Sequence, residues 1–283
     1  MFKMRHLIVA ILIFTGFIAG AVNPDNKYIK EPEDAILEVV YSRKSIRDTT
    51  TQLFVTDETI LRIGKNKSMY CGIRKLWADS LMNVDYSSYR AVSSAAFRNK
   101  DYFPAGHYWS YVYKDFNKKK CKEYEYFSLE FEKYEEDLEI PAWTVTDSTK
   151  RILGYECIKV TSDFRGRQWT AWFTPEIPVA DGPWKLHGLP GLILEAYDNQ
   201  HDYEFDVISI RDAGIGLIGY MEYDDYIEVS REKHMNNWWK SKHESMGALL
   251  KAAYGTNVPS KSVSTKIVPK YDREEIDYDH SLK

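Results

Sequence analysis

His187 stands just before a rigid Pro-Gly turn, with Glu176, Asp181 and Asp198 on either side of it and Arg165 and Arg167 upstream. An imidazole among carboxylates is the raw material of general acid–base hydrolysis, provided the base reaches a nucleophile or a water and a second group orients it. His187 and Asp198 are the candidates for that role, which would make the chain a secreted hydrolase. The chain has no G-x-S-x-G elbow and no H-E-x-x-H, and its Ser and Thr residues in this region fall at ordinary strand positions. A lone histidine beside a turn is more often a structural hydrogen-bonder, and these carboxylates are natural salt-bridge partners for the two arginines.

The same neighbourhood admits metal chemistry. His187, His201 and Asp198, with Cys157, would suit Zn or Cu only if a hairpin returned His201 beside His187, because the gap between the two histidines is not a recognised ligand spacing. His234 and His243 share a helix stripe only loosely and read as surface residues. Arg165-Gly166-Arg167 offers a third chemistry, since two guanidiniums around a glycine can grip a carboxylate or phosphate bidentately. The competing account is a hairpin turn at Gly166 with the arginines paired to Asp163, Glu176 or Asp181. Arg165, Arg167, Trp169, Trp172, Trp184 and His187 together form the candidate ligand-binding set. No metal site and no cofactor is assigned.

Export comes from the other end of the chain. Lys3 and Arg5, the apolar run Leu7–Ile18 and Ala19-Gly20-Ala21 have the form of a signal peptide spanning residues 1–21. The run is short for a transmembrane helix, which needs ~20 apolar residues, so an uncleaved anchor is the lesser reading. No Cys follows it for lipid attachment. Residues 22–283 then form one domain, since no Pro/Gly/Ser-rich linker and no repeat interrupts them. Loss of Lys3 and Arg5 moves the formal charge from −4 to −6. A mildly acidic chain without a basic stripe is a poor match for nucleic acid, whose phosphates require clustered Lys and Arg. Three cysteines leave at least one thiol unpaired in an oxidising compartment. Cys71 with Cys121 is a candidate disulfide, and Cys157 reads as a small buried hydrophobe.

Period-two patterning governs the positioning elements. Strands are expected at Ala35–Ile46, on both sides of Gly64-Lys65-Asn66, at His107–Phe116, Lys122–Tyr134, Trp143–Thr146, Arg151–Ser162 and Gln168–Thr174, and in a hairpin built from Leu192–Tyr197 and Asp202–Ile210. In Lys122–Tyr134 the alternation puts Tyr124, Tyr126, Ser128, Glu130 and Glu132 on one face, opposite Phe127, Leu129 and Phe131. A helix is expected after Ile73, through Leu76, Trp77, Leu81 and Val84. A longer one is capped by Ser230, carries Met235, Trp238, Trp239, Met246, Leu249 and Leu250 on its apolar side, and ends at Gly255. The fold class is mainly β (α+β): a large, curved, half-barrel-like antiparallel sheet of nine to eleven strands with one or two helices packed on it. Gly188-Leu189-Pro190-Gly191 is read as a type II turn with positive φ at Gly191. Aromatics make up 14% of the chain, including 21 Tyr and 8 Trp. They suit a sheet face that stacks on sugar rings, peptide or acyl chains, or a wide core.

The strings TKRILGYECIKVTSDFRGR, TAWFTPEIP and GLPGLI, with LRIGKNKSMY and YVYKDF upstream, resemble the GLPGLI family of secreted Bacteroidetes-type proteins. The resemblance is densest over residues 151–198 and weakest over 213–283. It implies an exported β-rich protein of undefined biochemical activity, associated with outer-membrane nutrient uptake components, and it transfers no catalytic residue. The expectation drawn from the whole is a periplasmic or cell-surface binding or accessory protein, not integral to the membrane, whose ligand is a glycan, peptide or lipid. A secreted hydrolase and a Zn/Cu-binding periplasmic protein are the alternatives.

Overall fold

The computed structural model describes residues 29–84, 108–127, 130–212, 216–221, 226–243 and 273–277. The leader at 1–21, the 85–98 stretch, Ser128, Leu129 and the helix end from Met246 to Gly255 lie outside the described residues. In chain order the elements are β1 (Ile29–Asp34), β2 (Leu37–Asp48), β3 (Leu53–Ile63), β4 (Lys67–Gly72), α1 (Ile73–Val84), β5 (Tyr111–Asp115), β6 (Lys120–Phe127) and β7 (Glu130–Asp137). They continue with β8 (Thr144–Ile152), β9 (Tyr155–Phe164), β10 (Arg167–Thr174), β11 (Leu192–Asp198), β12 (Tyr203–Arg211), β13 (Leu217–Met221), β14 (Tyr226–Glu228) and α2 (Arg231–His243).

Twelve of the strands make one open sheet in the order β14-β7-β6-β5-β4-β3-β2-β12-β11-β10-β9-β8, and β1 pairs separately with β13. The protein is therefore mainly β, with an antiparallel sheet that does not close into a barrel. Two meanders run outward from the centre, β2 to β7 and β12 back to β8. They are joined where β12 pairs with β2, from Tyr203 opposite Ser45 to Arg211 opposite Glu38. The single departure from antiparallel pairing among the described strands is β14, which runs parallel to β7 at the edge. Among the described residues, no helix is long and apolar enough to cross a membrane.

Alternation is legible in the core. Leu61, Tyr70 and Val112 belong to one buried cluster while their neighbours Ile60, Met69, Cys71, Tyr111 and Tyr113 belong to another. Successive side chains point to opposite faces of a strand, so the central strands are covered on both sides and read as nearly continuous apolar runs.

Two hairpins depart from expectation, and the strand count exceeds nine to eleven because the first was read through as a single strand and β1, β13 and β14 were not foreseen. The first is the segment from Lys122 to Tyr134, where Glu125 pairs across to Glu132. Partners across a ladder share a face, so Glu132 lies on the Glu125 side. Phe131 instead packs with Tyr124 and Tyr226, which corrects the face assignment. The second is the stretch before Ser162, where Leu153 (φ 49°) and Gly154 (φ 90°) turn the chain between β8 and β9. Leucine is a poor left-handed residue, so the sequence hid this type I′ turn. Arg165 (φ 53°) and Gly166 (φ 81°) make the expected turn between β9 and β10.

The Gly188–Gly191 segment differs from the type II expectation. Gly188 takes the positive φ (88°), while Gly191 is needed for space, because a Cβ there would lie 2.1 Å from the Thr174 carbonyl oxygen. The candidate Cys71–Cys121 disulfide is absent: all three cysteines are free and buried. Alternation explains the absence, since Cys71 and Cys121 sit in the clusters on opposite faces of the sheet. Burial pushes the Cys121 thiol up to about 12 and the Cys157 thiol up to about 11.

Candidate functional site

The residues expected to form an aromatic binding face are core. Trp169 stacks on Phe205 with centroids 6.0 Å apart and tilts against Trp184 at 5.6 Å. Trp169, Trp172 and Trp184 are all buried. Each such ring system hides on the order of 200 Å², so turning one outward toward a ligand would cost roughly 5 kcal/mol. Lys150 Nζ covers the Trp172 ring at 4.4 Å.

His187 is buried as well, and its Nδ1 hydrogen-bonds the Lys185 carbonyl at 2.9 Å. Burial, then the Lys114 charge, lowers its pKa below the usual imidazole range. Asp198 is engaged elsewhere, within its own hairpin and by Arg167. One Asp198 oxygen accepts the Tyr203 N–H at 2.9 Å and the other accepts from Arg167 Nη1 at 2.9 Å. His201 lies exposed, stacked on Tyr197 and bonded to Glu204. The expected partners of the arginines are also corrected. Arg165 pairs with Glu136, Glu139 and Asp277, and Arg167 with Asp198 and Asp202. Asp181 holds Lys114, and Glu176 accepts the Glu156 N–H.

What Arg165 and Arg167 do line is a charged groove that the sequence did not reveal. Its floor is the β6–β7 hairpin, whose cross-strand pairs Cys121–Glu136, Glu123–Tyr134 and Glu125–Glu132 share one face. One wall is the β9–β10 turn with Lys185 from the loop between β10 and β11. The other is α2, started by Ser230, whose Oγ accepts the Lys233 N–H at 3.2 Å. This helix delivers Arg231 and His234. His234 was expected at the surface but is completely buried, its Nδ1 2.9 Å from Glu132 and its Nε2 3.1 Å from Glu125.

Residues 273–277, Arg-Glu-Glu-Ile-Asp, lie in this groove. Arg273 donates to Glu123 at 2.9 Å and Glu125 at 3.0 Å, and covers the Trp238 ring. Glu274 pairs with Arg43. Glu275 meets Lys185 at 3.1 Å and Arg231 at 2.6 Å. Asp277 meets Arg231 and, at 3.6 Å, Arg165. Two backbone contacts add register: the Arg167 guanidinium donates to the Arg273 carbonyl, at 2.6 Å from Nη2, and the Ile276 N–H donates to the Arg165 carbonyl at 2.9 Å.

The electrostatics follow from the crowding of charge. Burial by itself would raise the Glu275 carboxyl, yet Lys185, Arg231 and Arg273 hold it well below the usual carboxylate range. Burial pulls Lys185 down while Glu275, Glu123 and Glu136 outweigh it and raise it. For His234, burial likewise opposes the charge, and hydrogen bonds to Glu125 and Glu132 raise it above the ordinary value.

Glu123, Glu125 and His234 bring one ligand atom each within 4.8 Å of one another, and among the described residues they are the group that could present three donors to a cation. In this arrangement the Arg273 guanidinium supplies the positive charge to both glutamates. The signal available in sequence was Lys-Cys-Lys-Glu-Tyr-Glu, in which Glu123 and Glu125 fall on one face of a strand that is otherwise fit for the core. Nothing in Arg273–Asp277 marked it as a groove-filling segment.

Residues 165–195, which supply one wall of this groove and the buried loop beneath it, match a sequence family described as a protein of unknown function (Porph_ging). No curated protein matches the chain. Among solved structures, two crystal forms of PNGF-II, in space groups P21 and C2, are similar with TM-score 0.48 and 15% identity. They cover 75% and 74% of this chain, and the chain spans 34% of each of them, about a third of their length.

Proposed function

We propose that this chain is an exported, non-catalytic binding or accessory protein of the cell envelope, of the GLPGLI kind, whose groove takes an extended peptide segment of mixed charge. The observation that supports the reading is the way residues 273–277 are held. All four of the charged side chains in that segment meet an opposite charge, Glu274 from Arg43 on β2 and the other three from the groove, whereas its one apolar side chain, Ile276, is 42% exposed. A segment held by charge and backbone hydrogen bonds, with little apolar burial, can be exchanged for another of like charge pattern. The chain's own segment is then a resident occupant, and outer-membrane uptake components that present such a peptide are the partners this reading assigns.

The test is a competition in the full chain. A fluorescent peptide spanning residues 271–279 is titrated into the native protein and into an Arg273→Ala, Glu275→Ala variant, whose own segment has lost its two deepest contacts. The variant is expected to bind the peptide saturably, more weakly at high salt, while the native protein does not bind at the same concentrations. A variant that keeps its circular dichroism yet binds no peptide sinks the proposal.

A further inference from the structure

Away from the groove, a buried nucleophile faces a buried electrophile. The Lys114 side chain is fully buried and its Nζ contacts Asp181 Oδ1, whose side chain is 1% exposed. Nζ also donates to the Gly182 carbonyl at 2.7 Å and the Trp184 carbonyl at 3.0 Å. Those two bonds fix two N–H directions, so the third points at the Asp181 carboxyl and its loss leaves the lone pair on that line. Asp181 Oδ1 accepts the Gly182 N–H at 2.8 Å, whereas Oδ2 is buried without a hydrogen-bond partner.

His187 completes the cluster. Its Nδ1 is engaged by the Lys185 carbonyl and its Nε2 is buried without a partner, and the Gly188 N–H donates to the Ala180 carbonyl at 3.1 Å, which folds the loop back so that His187 lies beside Asp181. Two orphaned polar atoms in one buried cluster are rare in native proteins and call for a reason. Tyr41, Trp184, Leu186 and Ile193, all buried, enclose this part of the chain. Apolar walls keep water from reversing a condensation.

We propose that Lys114 and Asp181 condense into an intramolecular isopeptide bond that ties β5 to the loop carrying the GLPGLI motif. The ammonium passes its carboxyl-facing proton to Asp181 Oδ2, and the amine adds to Cγ. The charge that develops on Oδ1 is met by the Gly182 N–H. His187 Nε2 then takes a proton from the nitrogen and returns it to the hydroxyl at Oδ2, which leaves as water. One C–N bond forms, one C–O bond breaks, and nothing is oxidised or reduced.

The experiment is tryptic digestion of the denatured full chain followed by mass spectrometry. The expected product is peptide 101–118, uncut at Lys114, linked to peptide 168–185 at their combined mass less one water. It should be absent from an Asp181→Ala variant. His187→Leu keeps both reacting groups and should slow the appearance of the linked species by about a hundredfold in freshly synthesised protein. Free peptides 101–114 and 168–185, recovered from protein shown to be folded before denaturation, would overturn the proposal. Linkage at an undiminished rate in His187→Leu would overturn the role given to the imidazole.

Discussion

Replacing Lys185 by Met tests whether the charges in the groove are coupled as the geometry requires. The Lys185 Nζ lies 3.3 Å from Glu123, 2.7 Å from Glu136 and 3.1 Å from Glu275, with its side chain 3% exposed, and it donates to the Tyr134 hydroxyl at 2.8 Å. Methionine keeps the apolar stem and removes the charge, so packing changes little. Removing one partner of a buried pair costs about 3–5 kcal/mol. Arg273 still serves Glu123, and Arg231 still serves Glu136 and Glu275, which places the expected loss near the lower end of that range. At roughly 2–4 °C per kcal/mol for a protein of this size, the melting temperature should fall by about 10 °C at pH 7. The sign with pH follows from the carboxyls. In the native protein Glu275 is held low, so its stabilisation is complete above the unfolded value of ~4.3 and is lost as pH falls below it. In the variant at least one of the three carboxyls is raised and takes up a proton on folding. The penalty for the missing ammonium is therefore largest at neutral pH and shrinks toward pH 5. Urea unfolding of both proteins at pH 7 and pH 5 reads this directly. A deficit below ~1 kcal/mol at pH 7, or one that does not narrow in acid, would refute the coupling.

Two further perturbations separate groove effects from general ones. Gly154→Ala and Gly166→Ala both place a side chain at positive φ (90° and 81°), but only at Gly166 would the new Cβ meet Ile276 Cγ1 at 2.8 Å and the Asp277 nitrogen at 3.0 Å. The first should cost ~1 kcal/mol and leave residues 273–277 in place. The second should cost ~2–3 kcal/mol and open the chain to trypsin after Arg273, so equal losses and equal protection would contradict the fit. His234, raised by Glu125 and Glu132, contributes stability that is fully present below its unfolded value of ~6.5 and is lost as pH rises through its folded value. Urea unfolding at pH 6 and pH 9 should show that decline in the native protein and a flatter profile in His234→Gln. Parallel profiles would remove the histidine from the account.

Much of the sheet was legible because alternation is a local signal. Gln168–Thr174, the Leu192–Ile210 hairpin, the Gly166 turn and the Ser230 cap each follow from side chains within a few positions of one another. The missed hairpins show where that signal stops. Leu153 is not a turn residue by type, and its left-handed backbone is imposed by the pairing of β8 with β9. The site was less legible for a different reason. His187, Asp198, Arg165 and Arg167 were singled out as a neighbourhood along the chain, but the fold uses them at separate addresses. His187 turns into the loop interior, Asp198 caps its own hairpin and holds Arg167, and Arg165 reaches to β7 and Asp277. The partners that give Arg165 and Lys185 their setting come from residues 123–136, 231–234 and 273–277. No pattern in the sequence announces that those stretches converge, since a Glu at every second position looks the same whether it faces water or an arginine.

Why the groove should be ionic and not apolar bears on what it can do. A buried pair repays its desolvation only when geometry and extra hydrogen bonds are good, so a network of this kind contributes modest net stability for the number of charges it hides. Apolar side chains of similar volume would hold residues 273–277 at least as firmly, and they would do so with little regard for the register of the segment. Charges behave differently. Shifting the segment by one residue would set Glu274 toward Glu123 and Arg273 away from both glutamates, converting attraction into like-charge contact in a medium that screens it poorly. The arrangement therefore trades affinity for selectivity of sequence and direction. The contacts also differ in depth: Glu275 and Arg273 are closed off, whereas Arg231 and Asp277 are 21% and 32% exposed at the rim. Salt reaches the rim pairs first, over a Debye length of about 8 Å, and loosening there exposes the inner pairs in turn. An occupant held this way can be selected strictly and still be released, which a resident segment must allow if another chain is to take its place.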